Sequence, residues 1–217
     1  MENQNSSRRP IASRDSGWAR KTAAALASAG LTPNFISVLS IVFAAVSLVA
    51  FVLWKDCGLS GFVAFPLAII GIQGRLVMNL FDGMVAVEYG KKSAVGGLYN
   101  EVPDRVSDTL ILIGAGYAVT DMQFGMTLAW VAVCLSVATA YIRTLGASLG
   151  TPHYFIGPMA KQHRMALLTL ACVVALFYVP AIWYALIVMN VGLVVTCFRR
   201  LSKISNYLNT NFPVDNG

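Results

Sequence analysis

The sequence predicts an all-α integral membrane protein: six transmembrane helices, preceded by an interfacial helix on the cytoplasmic face. Three observations predict it. Of 217 residues, 57% are hydrophobic and 12% charged, where soluble domains carry about 25% charged residues; mean hydropathy is +0.66. The apolar residues fall in runs long enough to cross a bilayer, with Gly, Pro and polar turn signals between them. The basic residues are distributed unevenly between the two ends of those runs. A helical domain over 32–200 is expected, between a cytoplasmic tail and interfacial helix at 1–31 and a cytoplasmic C-terminal tail at 201–217.

The polar tip, 1–15, holds Arg8, Arg9 and Arg14 and is expected to be disordered. From Ser16 to Ala29 good helix formers predominate. Trp18, Ala25 and Leu26 can share one side, with Arg20 and Lys21 at headgroup level, which suits a helix lying on the membrane surface. A linker helix without membrane contact is the alternative. Thr32 can cap the next helix and Pro33 suits its first position, so the first span is expected at 33–53.

The second span, 60–87, is longer than one crossing needs, so its last turns should enter the cytoplasmic headgroup layer. Arg75 lies on it, four residues before Asn79 and on the same face, and should point inward. It is expected to pair with Asp104 or Asp108, or to hold a phosphate. The third span, 96–119, contains Pro103, which leaves the Tyr99 carbonyl without its helical donor and should kink the helix. The fourth span is expected at 124–149 with Arg143 in its last turns, and the longest internal loop at 150–162 with His153 and Lys161. The fifth follows at 164–178. Pro180 marks a tight turn, and the sixth span ends near Phe198, before Arg199, Arg200 and Lys203.

With the N-terminus in the cytoplasm, this scheme puts the arginines of the tail inside, with Arg20, Lys21, Lys91, Lys92, Arg143, Lys161, Arg164, Arg199, Arg200 and Lys203; Lys55 falls outside. Both termini are therefore expected to be cytoplasmic. The formal net charge of +6 then reflects topology rather than a nucleic-acid partner. Cys57, Cys134, Cys172 and Cys197 are far apart with no C-x-x-C and read as small apolar residues. The first 31 residues lack the apolar core of a cleavable signal peptide, and no internal repeat is visible.

Five of the ten acidic residues lie within 79–108: Asp82, Glu88, Glu101, Asp104 and Asp108. Ionisable groups beside membrane spans are costly and point to function. Asn79, Asp82 and Ala86 share a helix face, and Asn100, Asp104 and Asp108 form a second stripe. Facing each other, the stripes would make an oxygen-rich pocket suited to a hard divalent cation and a substrate phosphate. Gly83, Gly96 and Gly97 leave room for a ligand or a close backbone approach.

These residues resemble the CDP-alcohol phosphotransferases, whose signature is D-x-x-D-G-x-x-A-R, eight residues, then G-x-x-x-D-x-x-x-D. Here it reads Asn79-x-x-Asp82-Gly83-x-x-Ala86-Val87, eight residues, Gly96-x-x-x-Asn100-x-x-x-Asp104. Every interval is kept, and three residue types depart: Asn79, Val87 and Asn100. The chain also resembles a divergent branch with Asn at both Asp positions and an Asn-Glu-x-x-Asp-x-x-Ser-Asp run, here from Asn100 to Asp108.

The resemblance implies a metal site at Asn79, Asp82, Asn100 and Asp104, with Glu101 and Asp108 as further candidates that could restore lost charge. Mg²⁺ or Mn²⁺ would be the ion, and Asp104 the general base. It implies CDP-lipid contacts from Thr32, Pro33, Asn34, Gly83, Ala86, Ser93 and Gly96, with Arg75 a further candidate; for Thr32 to Asn34 a cap alone is the alternative. Val87 cannot make the phosphate contact of the family Arg, which Lys91, Lys92 or Arg75 could supply. Arg143, Lys161 and Arg164, with His153 and His163 nearby, are candidates for an acceptor phosphate, against the alternative that cytoplasmic loops are basic anyway.

The expected reaction moves a phosphatidyl group from CDP-diacylglycerol to a small polar alcohol, one such as glycerol 3-phosphate or inositol phosphate included, with release of CMP. Within the family the alternatives are transfer of a CDP-linked headgroup to a lipid alcohol and a catalytically impaired member. Outside it stands a small transporter, against which speak the missing repeat and an acidic stripe near one face rather than the midplane. A homodimer in a bacterial inner membrane, with the site on the cytoplasmic side, is also implied.

Overall fold

The computed structural model describes residues 16–211. The tip expected to be disordered, with its three arginines, lies outside them, as does the end of the C-terminal tail. Seven helices follow in order among the described residues: α1 (Gly17–Ser28), α2 (Pro33–Cys57), α3 (Gly61–Glu88), α4 (Gly96–Ala118), α5 (Gly125–Ser148), α6 (Lys161–Ala175) and α7 (Pro180–Asn211). Four of them, α2, α3, α5 and α7, are long and apolar enough to cross a membrane. The other two expected spans differ for physical reasons. The first half of α4 carries Glu101, Asp104, Arg105 and Asp108, and α6 has 15 residues, about 22 Å of helix.

The helix ends follow their sequence signals. Thr32 Oγ1 accepts from the Phe35 amide at 3.2 Å and Pro33 takes the first position of α2. Gly58 in the left-handed conformation closes α2. Pro66 and Pro103 lie inside α3 and α4. The last helix departs from expectation: α7 continues well past Phe198 to Asn211. Its extension is held because Arg200 is buried and donates to the carbonyls of Thr139 and Ile156, and Ile204 packs against Gly146.

Helix α2 lies against both α3 and α4. Glycines allow this on either side. A Cβ on Gly71 of α3 would fall 2.6 Å from the Phe43 carbonyl and the Ser47 amide, and one on Gly114 of α4 would fall 3.0 Å from the Leu48 Cα. Small residues let helix backbones approach in this way. Phe51, Phe65, Ile72, Ile111 and Leu112 fill the space between the three helices, and Met165, Leu168, Leu186 and Met189 extend the core to α6 and α7.

Helix α1 packs on α3 through Ala19 and Ala23, which join Ile36, Phe81, Met84 and Val85 in a second apolar cluster. The side shared by Trp18, Ala25 and Leu26, expected to meet the membrane surface, is only partly engaged in this packing, with Leu26 against the cluster. Ala25 is exposed, and Trp18 meets Phe81 edge-on at 5.9 Å with half its surface open. Alanine lets the α1 backbone come close, which a ring at that contact would prevent.

At one end of the helices Lys55 pairs with Asp121, and Tyr117 donates to Asp56 at 2.8 Å. The acidic stripes gather at the other end.

Candidate active site

The site is built where the C-terminal turns of α3, the first half of α4 and the start of α6 converge. Asn79 and Asp82 come from α3, Asn100, Glu101 and Asp104 from α4, Arg143 from the end of α5, and Lys161 and Arg164 from the first turn of α6. All eight line one cavity of about 340 Å³. A second cavity of about 300 Å³ is lined by Pro33, Asn34, Ala86, Ser93 and Gly96, with Lys91 and Lys92 in the α3–α4 loop. Asp82, Gly83, Val87 and Asn100 belong to both walls. Asn34 and Ser93 are joined by a side-chain hydrogen bond at 3.2 Å, which ties the loop to the start of α2.

Asp104 is approached from several sides. Its Oδ2 accepts from Lys161 Nζ at 2.6 Å and its Oδ1 from Asn79 Nδ2 at 2.7 Å. Arg75 Nη2 stands 3.4 Å from Oδ1 and Arg105 Nη2 3.5 Å from Oδ2. Asp108, one turn further along α4, is fully engaged between Arg75 and Arg164, each at 2.5 Å. Such paired charges can be buried because each carboxylate oxygen meets a cationic donor.

Asp82 accepts from Ser37 Oγ at 2.5 Å. Glu101 pairs with Arg143, and Arg105 stands 3.4 Å from it. The Arg143 guanidinium also lies over the Phe155 ring, 5.1 Å from its centre. The first cavity is thus walled by the cations Arg105, Arg143, Lys161, Arg164 and Arg200 and by the carboxylates Asp82, Glu101 and Asp104.

Several expected residues stand apart. Arg75 is completely buried and lines neither cavity; it pairs with the α4 carboxylates. Asp108 also lies behind the wall, turned to arginines rather than into the cavity. Thr32 is a cap and lines neither cavity. The head of Arg164 is held by Asp108 and the Met159 carbonyl. His163 Nδ1 rests 2.9 Å from the Pro158 carbonyl and His153 stacks on Phe155, and neither lines these two cavities.

Residues not singled out from sequence also contribute. Arg105 stands four residues after Glu101, a spacing that signals an ion pair on one helix face. Ser37 lies on the face of α2 one turn from Asn34, a polar pair in the first turns of a mostly apolar helix. Thr139, Phe155, Gln162 and Arg200 reach the first cavity from segments whose approach depends on tertiary packing.

The residues here offer oxygen donors of the kind a hard cation takes. Asp82 offers a carboxylate, Asn100 lines both cavities, and Asn79 Oδ1 is buried without a hydrogen-bond partner. The amide orientation of Asn79 follows from chemistry, since its NH₂ must face the Asp104 carboxylate and its oxygen then faces away. Among the described residues, no three of His, Cys, Asp and Glu converge as a metal cluster.

Comparison with curated protein sequences finds no match. Among solved structures the chain is similar to Mycobacterium tuberculosis phosphatidylinositol phosphate synthase PgsA1. With CDP-DAG bound, that structure matches at a TM-score of 0.71 and 19% identity over 86% of this chain and 92% of that one. The complex with manganese and citrate matches at 0.71 and 19%, over 86% and 88%. The apo form matches at 0.69 and 19%, over 85% and 95%. This likeness establishes the shared fold. The family model for CDP-alcohol phosphatidyltransferase matches residues 30–198, which takes in the whole Asn79–Asp104 motif and all the named cavity residues but Arg200, and the chain therefore belongs to that family.

Proposed function

We propose that the protein transfers a phosphatidyl group from CDP-diacylglycerol to a small polar alcohol and releases CMP. The observation that carries this reading is the pair of cavities meeting at Asp82, Gly83, Val87 and Asn100, with Asp104 in the wall of one and Ser93, Gly96 and Gly97 in that of the other. The second cavity suits the CDP-lipid. Asn34, Ser93 and the small residues Gly83, Ala86 and Gly96 leave space for the nucleotide, and Lys91 and Lys92 bring positive charge where Val87 replaces an arginine. The first cavity suits the acceptor, with Arg143 and Lys161 as the basic residues best placed for a phosphate on it. That the CDP-DAG complex of a similar fold exists supports the donor assignment.

In the reaction the acceptor oxygen bonds to the phosphorus that carries the diacylglycerol. The bond from that phosphorus to the bridging oxygen of CMP breaks, and the hydroxyl proton passes to Asp104. Lys161 and Arg75 set positive charge against the Asp104 carboxylate, and Asn79 fixes its plane through the hydrogen bond to Oδ1. Ser37 holds Asp82 toward the shared wall. A divalent ion, Mg²⁺ or Mn²⁺, held by Asp82 with the amide oxygens of Asn79 and Asn100, would neutralise the diphosphate and the departing charge on CMP.

The same reading includes the topology. In it α4 and α6 cross the membrane within the bundle, α1 lies on the cytoplasmic surface with Trp18 toward the headgroups, and both termini are cytoplasmic. Basic residues at the site end of the helices support this orientation. A homodimer in a bacterial inner membrane is part of the proposal too, and chemical crosslinking of membranes tests the dimer. The central test incubates the purified chain with CDP-diacylglycerol, Mg²⁺ or Mn²⁺ and a panel of acceptors. CMP release that depends on one acceptor is expected; none with any polar alcohol would refute the assignment.

A further inference from the structure

We infer that Lys161 takes the place of a second divalent ion, so that the site holds one. This rests on the transferase reading above and deepens it. Both oxygens of Asp104 are already satisfied by nitrogen donors. Oδ2 accepts from Lys161 at 2.6 Å and Oδ1 from Asn79 at 2.7 Å, with Arg75 and Arg105 close behind. A carboxylate at position 79 would face Asp104 acid to acid, and only a proton or a metal ion between them would relieve the repulsion. The amide removes that need by donating a hydrogen bond. Lys161 supplies the positive charge. The exchange of Asp for Asn and the approach of Lys161 are thus two halves of one arrangement at the same carboxylate.

The other side of the site is different. Asn79 Oδ1 is buried and lacks a donor, and Asp82 and Asn100 line the wall shared with the CDP-lipid cavity. These oxygens suit one hard ion next to the diphosphate. An ammonium on the far side repels that ion but, being part of the chain, does not dissociate or exchange as a bound ion does. The pocket therefore trades some affinity for a fixed charge beside the base.

Mn²⁺ binding to the full chain in nanodiscs, with CDP-diacylglycerol present, tests this by electron paramagnetic resonance. One ion per chain without Mn–Mn dipolar coupling is expected. Lys161→Met should bind that ion about tenfold tighter or more, because a like charge has gone. Lys161→Arg keeps the charge and should match the parent. Two coupled ions in the parent would overturn the inference, whatever the variants do, and so would no bound ion. Equal Mn²⁺ affinity in the parent and in folded Lys161→Met would overturn it as well. CMP release by the parent is scored separately, so two bound ions with turnover would sink only this inference, and one bound ion without turnover only the transferase reading.

Discussion

Asp104 combines two roles that are usually separate, since it is the proposed base and also the partner of Lys161 and Arg75. Asp104→Asn should therefore do two things. CMP release should fall by at least about a hundredfold, the low end of what general-base loss costs. Stability should also fall, because removing one member of a buried pair strands the other at a cost of about 3–5 kcal/mol. Turnover near the parent level in a folded variant would exclude Asp104 as base. Val87 is a second residue with a clear expectation. It is 37% exposed and lines both cavities, so an arginine there has room and can reach the diphosphate. Val87→Arg should leave the thermal midpoint unchanged and tighten CDP-lipid binding, measured by displacement of a fluorescent nucleotide lipid. A large drop in the midpoint would show that Val87 is a packing residue.

At the scale of elements, the helix contacts make sharply different demands on glycine. A Cβ on Gly71 would meet the α2 backbone at 2.6 Å, whereas one on Gly97 meets nothing within 4 Å. Gly71→Ala should cost about 1–3 kcal/mol through overpacking, and Gly97→Ala should be near neutral; parallel thermal unfolding in detergent checks the pair. The sequence singled out Gly83, Gly96 and Gly97, which line the cavities, but not Gly71 and Gly114, where the helices meet. Periodicity marks a face, and the neighbour on that face is decided by tertiary packing. The same limit explains the rest. Thr32, Pro33 and the motif intervals are local signals, and the caps and the Asn79–Asp104 contact follow from them. The pairing of Asp108 with Arg164 joins residues 56 positions apart, and α7 runs on to Asn211 because Arg200 finds carbonyls on two other segments. The count of four apolar helices leaves out α4, whose first turns carry charged residues, and α6, which has 15 residues.

The whole molecule has two polar ends of different character. One holds the cavities with their basic walls, the other Lys55, Asp56, Tyr117 and Asp121. Cys57 is exposed at this second end, while Cys172 is buried. In the proposed orientation a membrane-impermeant maleimide should label Cys57 from the outside of sealed right-side-out vesicles. Labelling only after permeabilisation would reverse the topology and with it the cytoplasmic placement of the site.

The burial of Arg75 has a consequence for how the chain enters the membrane during synthesis. Helix α4 brings Asp104 and Asp108 into the bundle, and each carboxylate placed in hydrocarbon alone would be costly, up to about 3 kcal/mol near the helix centre. Arg75 belongs to α3, which is made first, and it meets both carboxylates. Lys161 and Arg164 arrive only with α6. In the proposed six-span topology Arg75 is thus, beside Arg105 of α4 itself, the counter-ion that an earlier helix offers while α4 leaves the translocation machinery, and α6 completes the neutralisation afterwards. Arg75→Leu should reduce the fraction of α4 that inserts, read with a glycosylation acceptor site inserted after Val119 in the full chain, and Lys161→Met should leave that fraction unchanged. Insertion of α4 to the same extent in both variants would show that its carboxylates enter without help from α3.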